Sequence, residues 1–347
     1  MAILPPVRYL NFPRTPPANQ AFDSYETYRY RRGMQEALQR GYQSLYDYTS
    51  TPGSHPICMF DSANEAVNTI TSGVLQLSAN TYTENIVLAN KTNITIRGLG
   101  AGTLINGGNG IGIRVSNCAN CVIENLAVEA NICVQQEGGT RSKYQNLFLN
   151  SNGLNCIDVN GDLPTEDTFE HIYMWGGSNA TFKYRRTNGN DSGGIRMVDV
   201  TAYGNGAGGV GFLLTGSVGV AIYVFMDTIT ADNYANNYAA WLRNVYNYQI
   251  DKGYFTVNSN TLPAVFIDGG GQGSVSGWVQ NSATAGNAMK FANDAVGMIV
   301  DRCQLVPGGA NAFGITVANM ANATILAANK NILYNTSNLC DDMTRIV

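Results

Sequence analysis

The pattern apolar-x-x-apolar-x-apolar recurs between residues 94 and 328, and it constrains the fold more than any other feature of the chain. It occurs at Ile123-Leu126-Val128, Tyr144-Leu147-Leu149, Phe169-Ile172-Met174 and Met197-Val200-Ala202. It returns at Met226-Ile229-Ala231, Ile250-Gly253-Phe255, Val275-Trp278-Gln280 and Val300-Cys303-Leu305. Successive copies start 21 to 29 residues apart. A second ladder, apolar-x-apolar, runs between the first at the same pitch. Its members are Ile113-Val115, Ile132-Val134, Ile157-Val159, Phe182-Tyr184, Phe212-Leu214, Ala240-Leu242, Val265-Ile267, Met289-Phe291 and Ile315-Val317.

A fixed period in this range means stacked supersecondary units. Within each unit the apolar residues alternate, which is strand spacing. Asn and Gly break the runs, and both tolerate the left-handed backbone that sharp corners need. Three short strands and three corners in about 25 residues make one turn of a parallel β-helix. Leucine-rich repeats share the period, but their Leu-x-x-Leu-x-Leu signature and helical return are missing. About ten such rungs would form a column ~50 Å long.

Composition fits that architecture. Charged residues are 13% of 347, about half the usual share. Neutral stacked faces avoid columns of like charge. The net charge of −4 argues against nucleic-acid binding. No apolar run is long enough to insert in a membrane. Seven cysteines include the pair Cys118 and Cys121, but no second pair or neighbouring His completes a zinc site. Cys118, Cys121, Cys156 and Cys303 fall at inward or corner positions, as small apolar residues would. With only His55 and His171, histidine catalysis has little material. No motif calls for a metal or a cofactor.

Residues 1–56 read as a separate arm, helix and linker ahead of a β-helix over 57–347. Pro5, Pro6, Pro13, Pro16 and Pro17 hold the first twenty residues extended, and no basic-then-apolar signal peptide precedes them. Tyr9 and Phe12, among other apolar residues, give this arm docking side chains. Residues 23–48 read as a helix with an apolar stripe of Met34, Leu38, Tyr42 and Leu45. Arg29, Arg31, Arg32, Tyr28 and Tyr30 suit an attachment interface near its start. Residues 51–56 read as linker. Ser62-Ala-Asn-Glu65 fits a capping box opening a short amphipathic helix, placed to cover the open end of the first rung.

Residues 75–105 carry a resemblance. Leu75-Gln-Leu-Ser-Ala-Asn-Thr-Tyr-Thr-Glu-Asn-Ile-Val-Leu88 leads to Asn93-Ile-Thr-Ile-Arg-Gly-Leu-Gly-Ala-Gly-Thr-Leu-Ile105. This resembles the opening rungs of the pectate-lyase-like superfamily, which includes pectin esterases, polysaccharide lyases and bacteriophage tailspikes. Asn80 stands where that pattern usually has Gly. The resemblance implies a right-handed β-helix. It implies no catalytic residues, because the esterase, polygalacturonase and lyase signatures are absent.

Alternate residues of each ladder point outward. In the first they stack as Ala127, Phe148, Tyr173, Thr201, Thr230, Tyr254, Val279 and Gln304. In the second they stack as Arg114, Cys133, Asp158, Lys183, Leu213, Trp241, Phe266, Lys290 and Thr316. Exposed aromatic stripes mark an interface or a ligand platform. Phe148, Tyr173, Leu213, Trp241, Tyr254 and Phe266 therefore suit either a threefold contact between copies or stacking on sugar rings. A further column, Glu124, Gln145, Glu170, Asp227, Asp251, Ser276 and Asp301, suits corner bonding. The best catalytic candidates are Asp158, Asp162, Glu166, Asp167 and Glu170. Lys183, Arg185, Arg186 and Arg196 follow as possible cations for an acidic sugar.

The expectation is a trimeric spike or fibre of a bacteriophage virion tail, made in the host cytoplasm. It would attach to other tail proteins through residues 1–50 and meet host surface polysaccharide along its β-helix. A polysaccharide-cleaving hydrolase or lyase, and a purely structural virion protein, are the alternatives.

Overall fold

The structure is a computed structural model. It describes residues 33, 35–40, 53–57, 60, 62–160, 166–186, 193–204, 209–217, 222–293, 296–318, 326–329, 331–336 and 338–342. The chain is all-β: a parallel β-solenoid of about nine turns, where the sequence pattern suggested about ten. Every strand pairing among the described residues is parallel, and each turn bonds to the turns before and after it.

Each turn presents three faces. On the first, Thr95, Val122, Lys143, Thr168, Arg196, Phe225, Gln249, Ser274 and Ile299 are in register. On the second, Ala127, Phe148, Tyr173, Thr201, Thr230, Tyr254, Trp278 and Gln304 align. On the third, Val87, Arg114, Gln135, Asp158, Lys183, Leu213, Trp241, Phe266, Lys290 and Thr316 align.

Three outward assignments need correction. Thr316, although in register with Lys290, is buried and donates to the Met289 carbonyl at 3.3 Å. Cys133 is fully buried, and Gln135 holds the outward position of that rung. The alternation Ile132-Val134 lies two residues early, because Ile132 pairs with Asn155 and Val134 with Ile157. Val279 is also fully buried, and Trp278 stands beside Tyr254. The register shifts at this corner, where Gly253 pairs with Gly277. Gly277 takes φ 128, which an L side chain rarely adopts.

The turn from first to second face is made by one left-handed residue. The column is Asn125, Asn146, His171, Asp199, Thr228, Lys252 and Arg302, with φ between 52 and 57. Asn and Asp accept this conformation; a β-branched residue does not. Thr228 is held there by its place in the stack. The interior is mainly apolar. Tyr144 stacks on Phe169 at 5.0 Å and 7°, and Phe169 meets Phe182 edge-on at 5.0 Å.

The N-terminal end is covered as its sequence suggested, with additions. Helix α1 (Ala63–Thr69) is capped by Ser62, whose side chain accepts from the Glu65 amide at 3.0 Å. Glu84 accepts from the next two free amides, Ala63 and Asn64, at 2.9 and 3.0 Å. Ala63, Ala66, Val67 and Ile70 are buried. Residues 54–56, read as linker, instead form a strand paired with Gly73–Gln76. Residues 35–39 are helical, but Leu38 is 63% exposed while Ala37 is buried. Leu38 alone of the expected stripe is among the described residues; Met34, Tyr42 and Leu45 lie outside them. Arg40 donates to the carbonyls of Leu77 and Arg97 and so covers strand ends.

Replacing Thr228 with Asn should raise stability by about 1 kcal/mol by relieving the left-handed strain. Phe169→Ala should lower it by about 3–5 kcal/mol through the lost ring and the cavity it leaves. Denaturant unfolding of both variants beside the unsubstituted protein checks the pair of signs.

Candidate functional site

The outward columns carry the chemistry, because the inward ones are filled. On the third face, corner residue Tyr238 leans over the column. Its ring lies 5.1 Å from Trp241 and 5.4 Å from Phe266, and Trp241 stacks on Phe266 at 5.9 Å and 22°. Lys290 places its ammonium 5.5 Å from the Phe266 centroid, within cation–π range. Alongside, Asp268 sits 4.0 Å from Arg243 and accepts from the Asn293 amide at 2.5 Å. Leu213, Trp241 and Phe266 are partly exposed. The result is an aromatic platform edged by charged and amide groups. Tyr238 lies outside both strand ladders, so periodicity did not find it.

On the second face, Phe148, Tyr173 and Tyr254 are 49%, 41% and 41% exposed. Trp175, also 41% exposed, stacks on Tyr203 at 4.5 Å two positions further along the strands. Alternation predicts that second column as well, since residues two apart share a face.

The acidic candidates do not converge. Asp158 lies on the third face, 3.2 Å from the Lys183 ammonium, and accepts from Asn155 at 3.1 Å. Glu166 opens a first-face strand and pairs with Arg141 at 2.8 Å. Glu170 sits at the corner between Lys143 at 2.9 Å and Arg196 at 2.6 Å. These cations, Lys143 foremost, hold its carboxyl below the usual range. Asp167 points inward and is 1% exposed. Arg186 is fully buried as well. Asp162, and the attachment candidates Tyr9, Phe12, Tyr28, Tyr30, Arg29, Arg31 and Arg32, lie outside the described residues.

The corner-acid column is a bonded ladder. Glu124 pairs with Arg97 and accepts from Gln145, Asp227 pairs with Lys252 at 3.2 Å, and Asp301 pairs with Arg302 at 2.9 Å. The six described cysteines are free and buried. Among the described residues, no group of three or more His, Cys, Asp or Glu is placed to hold a metal. Nor is any helix among them long and apolar enough to cross a membrane.

The first face holds a shallow groove of about 370 Å³ that the sequence reading did not identify. Gly194 pairs with Glu166 on one side and Tyr223 on the other. Its missing side chain leaves the gap. Arg196 borders it, 5.9 Å from the Phe225 centroid, and Tyr223, Asn247 and Gln249 complete the rim. A Gly at an outward position between large neighbours is the signal that would have marked it.

No family model matches the chain, and no curated protein matches it. Solved structures do. The A-module of Azotobacter vinelandii mannuronan C-5 epimerase AlgE4 aligns at 11% identity over 85% of this chain and 96% of its own, with a TM-score of 0.51. Geobacillus virus E2 ORF18 aligns at 11% identity over 82% of this chain, with a TM-score of 0.45. The enzymatically active domain of bacteriophage CBA120 tailspike protein 2 aligns at 13% identity over 84% of this chain, with a TM-score of 0.42. This chain spans 60% of the first viral protein and 42% of the second. At these identities the likeness shows the fold alone, a parallel β-helix.

Asp167 gives the interior a pH response. Its carboxylate accepts from the Ser142 amide and the Gln136 side chain, both at 2.9 Å, and Tyr144 donates to Gln136 at 2.6 Å. Burial nevertheless pushes its pKa from 3.8 up to about 7. A carboxyl raised on folding contributes its full stability below the unfolded value of 3.8 and has lost it once the pH passes about 7. Asp167→Asn removes that dependence. Melting temperatures at pH 4.5, 6 and 8 should show the variant gaining on the unsubstituted protein as pH rises. A constant difference would mean that the acid ionises in the fold without cost.

Proposed function

We propose that this chain is a β-helical spike or fibre protein of a bacteriophage tail that binds host surface polysaccharide. The observation that carries the reading is the Tyr238–Trp241–Phe266 platform. A sugar ring has an apolar C–H face and a rim of hydroxyls. Rigid aromatic surfaces take the first at low entropic cost, and Asp268, Arg243 and Lys290 are placed to bond the second. The described carboxylates Asp158, Glu166 and Glu170 each have a cationic partner, and Asp167 is buried. Binding is therefore favoured over cleavage, which needs two carboxyl groups facing across one groove.

The second-face column of Phe148, Tyr173 and Tyr254 is assigned to contact between copies. Contiguous exposed aromatics on a rigid sheet suit a self-complementary surface, and three copies around one axis would bury all three columns. The Pro-rich, aromatic arm in residues 1–50 would then attach the spike to other tail proteins.

Trp241→Ala should abolish retention of neutral polysaccharides on an array of bacterial surface glycans while leaving the molar mass unchanged. Undiminished retention would remove the platform from the reading. The molar mass in solution should be near three chains, with or without residues 1–50. Tyr173→Asp should dissociate the assembly, and a monomeric unsubstituted protein would end the trimer proposal.

A further inference from the structure

The first-face groove faces a different side of the column from the aromatic platform, and its chemistry differs. Its lining carries one exposed cation, Arg196, and one exposed carboxylate, Glu166, which Arg141 neutralises from the preceding turn at 2.8 Å; Glu170 and Lys143 lie beside the groove. Glu170 is held twice, by Lys143 at 2.9 Å and Arg196 at 2.6 Å. It can keep one partner and release the other. Arg196 bonds Glu170 through Nη1, which leaves Nε and Nη2 for an incoming group. The Arg196 side chain is 52% exposed and lies along the Phe225 ring. Tyr223, 48% exposed, presents a second ring at the groove's edge. Gln249 and Asn247 add amide donors and acceptors. The groove's volume of about 370 Å³ suits one or two sugar rings.

We infer that this groove is a second saccharide site, selective for a sugar bearing a carboxylate. The acid would bond the guanidinium of Arg196, in the planar two-donor geometry that arginine offers carboxylates. The ring's apolar face would lie on Tyr223, and its hydroxyls would meet Gln249 and Asn247. The site deepens the polysaccharide reading, because a chain carrying acidic units would be held on two faces of one column. Two linked contacts raise retention beyond either alone.

The test uses the full chain, with oligogalacturonate and oligoglucuronate as acidic probes and maltotetraose as the neutral one. Arg196→Gln should weaken acidic binding by about tenfold or more and leave neutral binding unchanged. Gly194→Val fills the groove. A Cβ there meets only Tyr223 atoms, at 3.3 and 3.4 Å, and a β-branched residue suits the strand. It too should abolish acidic binding. Trp241→Ala should leave short acidic probes bound. Equal affinity for acidic and neutral probes, or indifference to both groove variants, would overturn the inference. If Trp241→Ala alone abolishes all binding, the groove is no site and the platform reading stands. If no saccharide binds the unsubstituted chain, both readings fall together.

Discussion

Everything in this molecule depends on a corner made by a single residue. Between the first and second faces the chain turns through one left-handed position, repeated from Asn125 to Arg302. That turn lets each rung lie over the last with its inward side chains in file. Parallel ladders then satisfy the backbone on every face. The column tolerates poor residues at the corner, because a strained Thr228 or Lys252 costs less than breaking two ladders. Its neighbours compensate locally. Lys252 reaches back to Asp227, and Thr228 donates to the same carboxylate at 3.1 Å. The acids beside the corner thus serve the bend, which explains their recurrence without catalysis.

Regular stacking leaves an interior that must be filled and an exterior that is free to vary. Inside, Tyr144, Phe169 and Phe182 interlock across successive turns. One polar cluster interrupts them. Asp167, Gln136 and Tyr144 form a hydrogen-bonded group where a first-face strand begins. A buried carboxyl is costly as an anion and tolerable as an acid, which is why its proton affinity rises. Its bond to the Ser142 amide ties it to the preceding turn. The same group therefore braces two rungs, and its own contribution to stability falls as the pH rises from 3.8 to about 7.

Much of the fold was legible, because two periods reported it independently. Strand spacing named the faces, and repeat length named the column. The errors are local, and two share one cause: the pattern assumed that every rung takes equal steps. The rung through Cys133 and the corner at Gly277 do not, and each shift moved a residue from outside to inside. Other features were less visible because they depend on contacts between turns. The capping role of Glu84 joins residues about twenty apart, and Tyr238 acts from a corner that no ladder includes. Lys252 and Arg302 sit left-handed with no local preference to announce it.

Function in such a column is set by side-chain type at positions that the stack has already placed. The third face exposes a ring cluster beside charged groups; the first exposes a cation and two rings around a missing side chain. Neither required new backbone. Gly194 is the clearest case: a Cβ there would meet the Tyr223 carbonyl oxygen at 3.3 Å and the Tyr223 Cβ at 3.4 Å, so a side chain asks Tyr223 to give by a few tenths of an ångström. The position stands outward between Glu166 and Tyr223, with parallel pairing on both sides. The groove follows from the absence of one side chain in a row of larger ones, and the neighbours on the adjoining turns set its shape and its chemistry.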